Sequence, residues 1–200
     1  MAIKFQYNKT SLQQLNKQLR VRERALPTLR NKEAALRVEV KNARNTVEEY
    51  ERELARKIEA YRHAVALWDE FDNSLVNLDS VEVGVKKIAG VKTPVLQEVQ
   101  FRVKDYSMFN KPTWYPDGIR VLQELATVAI EREVFHDKMV LLEHARRKTT
   151  QKVNLYEKVQ IPGFQDAIRK IKRYLEDEEN LSKASQKIVK TRLQAMEEGV

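Results

Sequence analysis

Apolar residues recur in the first third of the chain at alternating steps of three and four. Eleven of the thirteen positions at these steps between Leu12 and Leu54 are apolar, and the residues between them are mostly charged or amide. A spacing of 3.5 residues held this long is typical of a left-handed coiled coil. The stripe predicts a long helix with an equally long partner. Its positions are Leu12, Leu15, Leu19, Arg22, Leu26, Leu29, Glu33, Leu36, Val40, Ala43, Val47, Tyr50 and Leu54.

A second helical stripe follows in the C-terminal half. It runs from Val121 to Leu142, weakens towards Tyr156, is interrupted at Pro162-Gly163, and resumes from Phe164 through Leu175, Glu178 and Ser185 to Ile188. The two helical arms are nearly equal in length and the connection between them is short. This combination predicts an antiparallel pair within one chain.

The middle of the chain has a different pattern. Six of the ten Gly and Pro residues fall between 80 and 118. Residues Val81–Val85 and Val99–Val103 alternate between apolar and polar or small, which predicts a hairpin turning near Gly90–Pro94. The candidate partner-facing residues here are Val99, Phe101, Val103, Trp114 and Tyr115; the last two are equally compatible with a local core beneath the hairpin.

These patterns predict an all-α fold: a long antiparallel two-helix coiled coil with a small β-hairpin and loop cap. We expect an N-terminal helix within residues 1–79, the cap at 80–118 and a C-terminal helix within 119–200. The first helix should begin at a cap formed by Asn8, Thr10 or Ser11, bend at Pro27, continue past a stutter at Ile58, and end near Leu78. Asp117 is a possible cap for the second helix.

Charge is unevenly distributed along the chain. Residues 1–44 carry 11 Lys/Arg and 3 Asp/Glu, residues 45–144 carry 13 and 18, and residues 145–200 carry 13 and 8. The net charges are therefore +8, −5 and +5. If the arms are antiparallel, both basic ends meet at one basic tip.

The sequence offers little support for catalysis or metal binding. It has no cysteine, which excludes disulfides and thiolate sites. Glu133 and His136 match half of a di-iron element, and neither His63 nor His144 supplies a second half. No nucleotide-binding or hydrolase motif is present. We therefore expect no catalytic, cofactor or metal site, and no membrane-spanning helix in a soluble intracellular protein.

The C-terminal arm carries a family resemblance. Arg146-Arg147, then Val153-Asn154, then Ile161-Pro162 are similar to a segment of the D subunit of the V-type and A-type ATPases and ATP synthases, the central-stalk rotor axle. The opening residues Asn8-Lys9-Thr10 and the leucines that follow resemble that family's first helix. Pro27 departs from the family pattern.

The resemblance implies a non-catalytic rotor shaft that couples ATP synthesis or hydrolysis to proton or sodium transport. It implies contact of the paired termini with the hexamer of A and B subunits, and of the middle with the F and C subunits, with the C subunit linking it indirectly to the membrane ring. The protein would then be cytoplasmic and peripheral to the membrane, with no direct insertion. The candidate hexamer-facing basic residues are Arg20, Arg22, Arg24, Lys183, Lys187, Lys190 and Arg192.

Other interpretations remain open at this point. A free-standing coiled-coil adaptor could use its basic tip on anionic membrane or nucleic acid, although the N-terminal arginines lack the interleaved aromatics that favour nucleic acid. An F-type axle needs an α/β domain between its arms, which residues 80–118 are too few to hold. A metal enzyme is the weakest alternative.

Overall fold

The computed structural model describes residues 3–62, 68 and 70–197. Helix α1 spans Lys9–Ala60, strands β1 and β2 span Val76–Ile88 and Val91–Val103, and helix α2 spans Tyr115–Leu155. A π-helical turn, Tyr156–Gln160, leads into helix α3, Ile161–Glu197. The chain divides into two compact units: residues 1–31 with 149–200, and residues 32–148.

The first unit pairs the start of α1 with α3. Leu15 packs with Phe164 and Ile171 in a buried cluster. Tyr7 lies 4.9 Å from Tyr174, ring centre to ring centre. Tyr7 precedes Leu15 in the chain, whereas its partner Tyr174 follows Phe164 and Ile171, so the two segments pack antiparallel.

The second unit pairs the rest of α1 with α2. Leu36, Val40 and Ala43 form a buried cluster with Leu142. Further along α1, the ring centre of Tyr50 lies 5.4 Å from that of Phe135. All thirteen positions of the α1 stripe are buried or half-buried. The predicted antiparallel pairing of two helical arms is confirmed within each unit.

Within the second unit, the tip of the hairpin packs against the helices. Ile88, Ala89 and Val91 pack against the Leu36 cluster. The turn places Ala89 at φ 47° and Gly90 at φ 80°, the left-handed pair that a two-residue hairpin requires. The predicted hairpin is confirmed, and its strands are longer than the alternation indicated. A register shift at Asp79 breaks the alternation without ending the strand.

The first helix ends earlier than expected. It stops at Ala60 and not near Leu78, and Ile58, assigned to the stripe by a step of four, is exposed while Lys57 is half-buried. Beyond the helix, Trp68 joins a cluster with Phe71, Leu75 and Tyr115, and Val76 already pairs with Val103. These tertiary contacts outweigh the helical periodicity. Val65, to which the stripe would continue seven residues after Ile58, lies outside the described residues.

Local signals set the helix starts. Asn8 caps α1, because its Oδ1 accepts a hydrogen bond from the Ser11 amide at 2.7 Å. Helix α2 starts at Tyr115, so Asp117 lies in its first turn and is not the cap. In the first turn its negative charge interacts favourably with the positive end of the helix dipole. Helix α1 continues through Pro27, and the expected bend at that residue stays a prediction.

Candidate functional surfaces

Arg22 does not lie on an open surface. Its Nε donates to the Gln160 side-chain oxygen at 2.6 Å, and its guanidinium lies 4.5 Å from the centre of the Phe164 ring. Arg20 and Arg24, its neighbours in the predicted tip, are exposed. The three arginines therefore differ, since one is held by α3 and its preceding turn while two face outward.

The C-terminal basic residues lie on an exposed stretch of α3. Every described side chain from Glu176 onward is exposed. Lys183, whose Nζ lies 2.8 Å from a Glu179 oxygen, opens a run that also holds Lys187, Lys190 and Arg192. The same stretch exposes apolar side chains, namely Leu181, Ile188, Val189, Leu193 and Met196. We call residues 176–197 the overhang.

The structure does not bring the two halves of the predicted tip side by side. Arg22 lies against Phe164, and Lys183 follows Phe164 by nineteen residues of α3. At 1.5 Å per residue this is ~28 Å along the helix. The segment just before α1 instead meets α3 at Tyr174, through Tyr7. The near-equal arm lengths predicted that the two basic ends lie side by side. The first arm is shorter than expected, because α1 ends at Ala60, and the second is longer, because α2 begins at Tyr115. The basic residues of the two arms are therefore at different levels. Glu178, Ser185 and Ile188, expected in the stripe, are therefore exposed.

Arg146 and Arg147 both bind one carboxylate. Glu143 accepts hydrogen bonds from Arg146 Nε and Nη2 at 2.9 and 2.7 Å, and from Arg147 Nε at 3.1 Å. The Arg146 hydrogen bonds, aided by Arg147, lower the pKa of Glu143 from its usual value to about 2. The same contact raises the pKa of Arg146. This pair of motif arginines thus forms a local ionic fork on α2.

The remaining motif residues flank the π turn. Val153 and Ile161 are half-buried, whereas Asn154 and Pro162 are exposed. The Ile161 amide donates to the Tyr156 carbonyl, five residues back, which defines the π turn. The predicted interruption at Pro162-Gly163 thus appears as a change of helical type, and the chain stays helical across it.

Tyr115 belongs to a local core. It is 1 % exposed, and its hydroxyl donates to the Glu70 carbonyl at 2.7 Å and accepts from the Asp72 amide at 3.3 Å. Trp114 packs at its edge, half-buried, with its ring centre 5.8 Å from that of Phe71. Of the two interpretations left open for this loop, the local core is the one observed for Tyr115.

The hairpin residues divide by exposure. Val99 and Phe101 are half-buried, and Phe101 borders a shallow groove with Thr127 and Val128 of α2. Val103 is exposed. Sequence reasoning missed Phe109, which is 100 % exposed beside Met108 in a short 3₁₀ turn. The only available signal was an aromatic residue in a polar loop.

Metal binding and membrane spanning find no support in the part of the chain that the structure describes. Among these residues, no group of three or more His, Cys, Asp or Glu side chains is placed to hold a metal ion. His136 is half-buried and His144 is exposed, while His63 lies outside the described residues. Within the same ranges, no helix is long and apolar enough to cross a membrane.

Comparison with known proteins identifies the family. A family model described as the ATP synthase D subunit matches residues 11–191. The V-type ATP synthase D subunit of Borreliella burgdorferi is 28% identical over 193 residues, covering 95% of each chain. That of Chlamydia felis is 29% identical over 188 residues (88% of this chain and 87% of the relative), and that of Chlamydia muridarum is 30% identical over 178 residues (86% and 88%). The chain belongs to the ATP synthase D subunit family.

Proposed function

We propose that this chain is the central rotor shaft of a V/A-type ATP synthase or ATPase. It would couple ATP synthesis or hydrolysis in a hexamer of A and B subunits to proton or sodium transport by rotation. The observation that carries the proposal is the family match across residues 11–191. The helical architecture supports it, because a shaft needs long paired helices and α1 alone has 52 residues.

The overhang is the part of the shaft that we assign to the hexamer. Its apolar side chains are exposed in the isolated chain, and helices usually cover such a face. Lys183, Lys187, Lys190 and Arg192 would face polar or acidic loops of the surrounding subunits, where charge attracts without demanding one fixed geometry. Arg20 and Arg24 would form a separate basic level further along, and Arg22 would serve the internal contact described above.

The hairpin and the loop before α2 are the surface that we assign to the F and C subunits. Val103 and Phe109 are exposed there, and Trp114 is half-buried. Aromatic side chains that stay exposed are common anchors at protein interfaces. The chain itself would carry no catalytic residue, and it would be cytoplasmic and peripheral to the membrane as part of the complex.

The test is a pull-down of the tagged chain from detergent-solubilised membranes of its native host, followed by mass spectrometry. Recovery of two large nucleotide-binding subunits with ATPase activity is the expected result. Recovery of the chain alone, or with nucleic acid, would contradict it. Tight, salt-sensitive binding of the purified chain to acidic liposomes, without those subunits, would support the adaptor alternative instead.

The assignment of this surface to the F subunit has a separate test. Co-expression of the chain with the F subunit should yield a complex that survives purification. The variant Phe109→Ala should weaken this complex without lowering the melting temperature, because Phe109 contributes to no core cluster among the described residues. The matched control is Phe71→Ala, which should destabilise the chain itself because Phe71 is buried. Failure of the unmodified chain to co-purify with the F subunit would count against the assignment.

A further inference from the structure

Arg22 is a polar residue inside an apolar stripe, and it lies against an irregular turn. The turn is the π-helical segment Tyr156–Gln160. Arg22 contacts both sides of it, because its guanidinium lies 5.9 Å from the centre of the Tyr156 ring and 4.5 Å from that of Phe164. Its Nε donates at 2.6 Å to Gln160, which lies between these two aromatic residues in the sequence. A polar stripe residue with a specific partner is a common way to fix the register of paired helices.

The π turn takes up one extra residue. Phe164 follows Tyr156 by eight positions, whereas two steps of the repeat, one of three and one of four, cover seven. A π turn closes its hydrogen bond over five residues instead of four, so it absorbs the surplus and Phe164 stays buried. Pro162 adds to the irregularity, since its missing N–H leaves the Lys158 carbonyl without a donor four residues on.

Pro27 removes a backbone donor from the other helix at the same level. Two contacts to the π turn bracket it along α1: Arg22 to Gln160, and Arg30 Nη2 to a Glu157 oxygen, also at 2.6 Å. Pro27 has no N–H, so the Glu23 carbonyl lacks the donor that an uninterrupted helix supplies. Each of the two neighbouring helices thus lacks one backbone N–H donor near this level.

We propose that Pro27 and the π turn form one flexural joint, and that Arg22 holds its register. A break in one helix of a pair is braced by the intact partner, whereas opposed breaks let both helices bend together. The Arg22 contact then prevents the helices from sliding as they bend. This joint is a property of the fold and does not depend on what the chain binds.

Hydrogen–deuterium exchange of the full chain tests whether the two breaks act as one. The variant Pro27→Ala restores the missing donor on α1 at an exposed site. We expect slower exchange within residues 23–31 and also, by about threefold or more, within residues 156–162. The matched control is Asn45→Ala, an exposed change that raises helix propensity elsewhere in α1 and should leave 156–162 unchanged. A response confined to residues 23–31, or an equal response to the control, would overturn the shared joint.

A second pair of variants tests the register contact. Arg22→Met keeps an extended side chain but removes the hydrogen bond and the charge over the rings. We expect exchange within residues 156–162 to quicken by about threefold or more, whereas Arg24→Met, an exposed neighbour, should change nothing. Equal exchange in the two variants would show that Arg22 does not hold the turn.

Discussion

Two apolar helical stripes in this chain differ in whether the chain itself buries them. The stripe of α1 from Leu36 to Val47 is buried against α2, whereas the side chains of the overhang from Leu181 to Met196 are exposed. Both stretches combine apolar positions with flanking charges, so their sequences predict the same behaviour. The difference teaches that a heptad stripe indicates a face to be covered and does not say whether the cover lies in the same chain.

The sharpest test of this comparison is the same substitution in both stripes. Leu142 is 0 % exposed and Leu193 is 55 % exposed. Leu142→Ala leaves a cavity among Leu36, Val40 and Ala43, so we expect a loss of about 3 kcal/mol in the free energy of unfolding. Leu193→Ala should change it by less than about 0.5 kcal/mol. Chemical denaturation followed by circular dichroism measures both, and similar losses would mean that the overhang is packed in solution.

A polar contact inside the covered region should have the next largest effect. Tyr115→Phe removes the hydroxyl that bridges the Glu70 carbonyl and the Asp72 amide and keeps the buried ring. We expect a loss of about 1–2 kcal/mol, because the Glu70 carbonyl and the Asp72 amide lose a partly buried hydrogen-bond partner. The matched change Tyr7→Phe is at a half-exposed ring and should be neutral, as the same denaturation experiment would show. Equal stability of Tyr115→Phe and the unmodified chain would indicate that water replaces the hydroxyl.

Much of the fold could be predicted because local sequence patterns determine it. The α1 stripe, the cap at Asn8 and the hairpin around Gly90 each depend on residues close in sequence. The early end of α1 could not be predicted, since Trp68 is drawn into contacts with Phe71 and Trp114. The same holds for the candidate surfaces. Arg22 resembles any basic tip residue until Gln160 and Phe164, far along the chain, are placed beside it.

The ionic fork on α2 should have a smaller and pH-dependent effect. The pKa of Glu143 is lowered from its usual value to about 2, so the fork stabilises the folded chain above about pH 4.5. This contribution is lost as the pH falls through about 2, where the folded-state carboxylate is protonated. Glu143→Gln should cost about 1 kcal/mol at neutral pH, because Arg147 is largely exposed and solvent screens the contact.

Melting temperatures between pH 2 and pH 7 measure this contribution. The difference between the unmodified chain and Glu143→Gln should shrink as the pH falls from about 4.5 towards 2. Glu51→Gln, an exposed carboxylate of α1, provides the control and should show a much smaller difference at neutral pH. A difference that stays constant over this range would mean that the glutamate charge is not what stabilises the fork.

A substitution on the overhang should have the smallest effect on stability but a clear effect on assembly. Ile188 is 55 % exposed on the overhang, so Ile188→Glu should leave the free energy of unfolding within about 0.5 kcal/mol of the unmodified chain. If the hexamer covers this face, the new carboxylate is buried in the complex and recovery of the large subunits in the pull-down should fall.

The control for this variant is Gln194→Glu, which adds the same charge at an exposed polar position of the overhang. Gln194 lies six residues after Ile188, or ~240° around the helix, and therefore on a different face. The control variant separates the effect of added charge from the effect of burying that charge on the apolar face. Recovery of the large subunits should therefore fall less with Gln194→Glu than with Ile188→Glu. Equal recovery with both variants would mean that the overhang's apolar side chains are not the contact, and the contrast between the two stripes would then have no functional consequence.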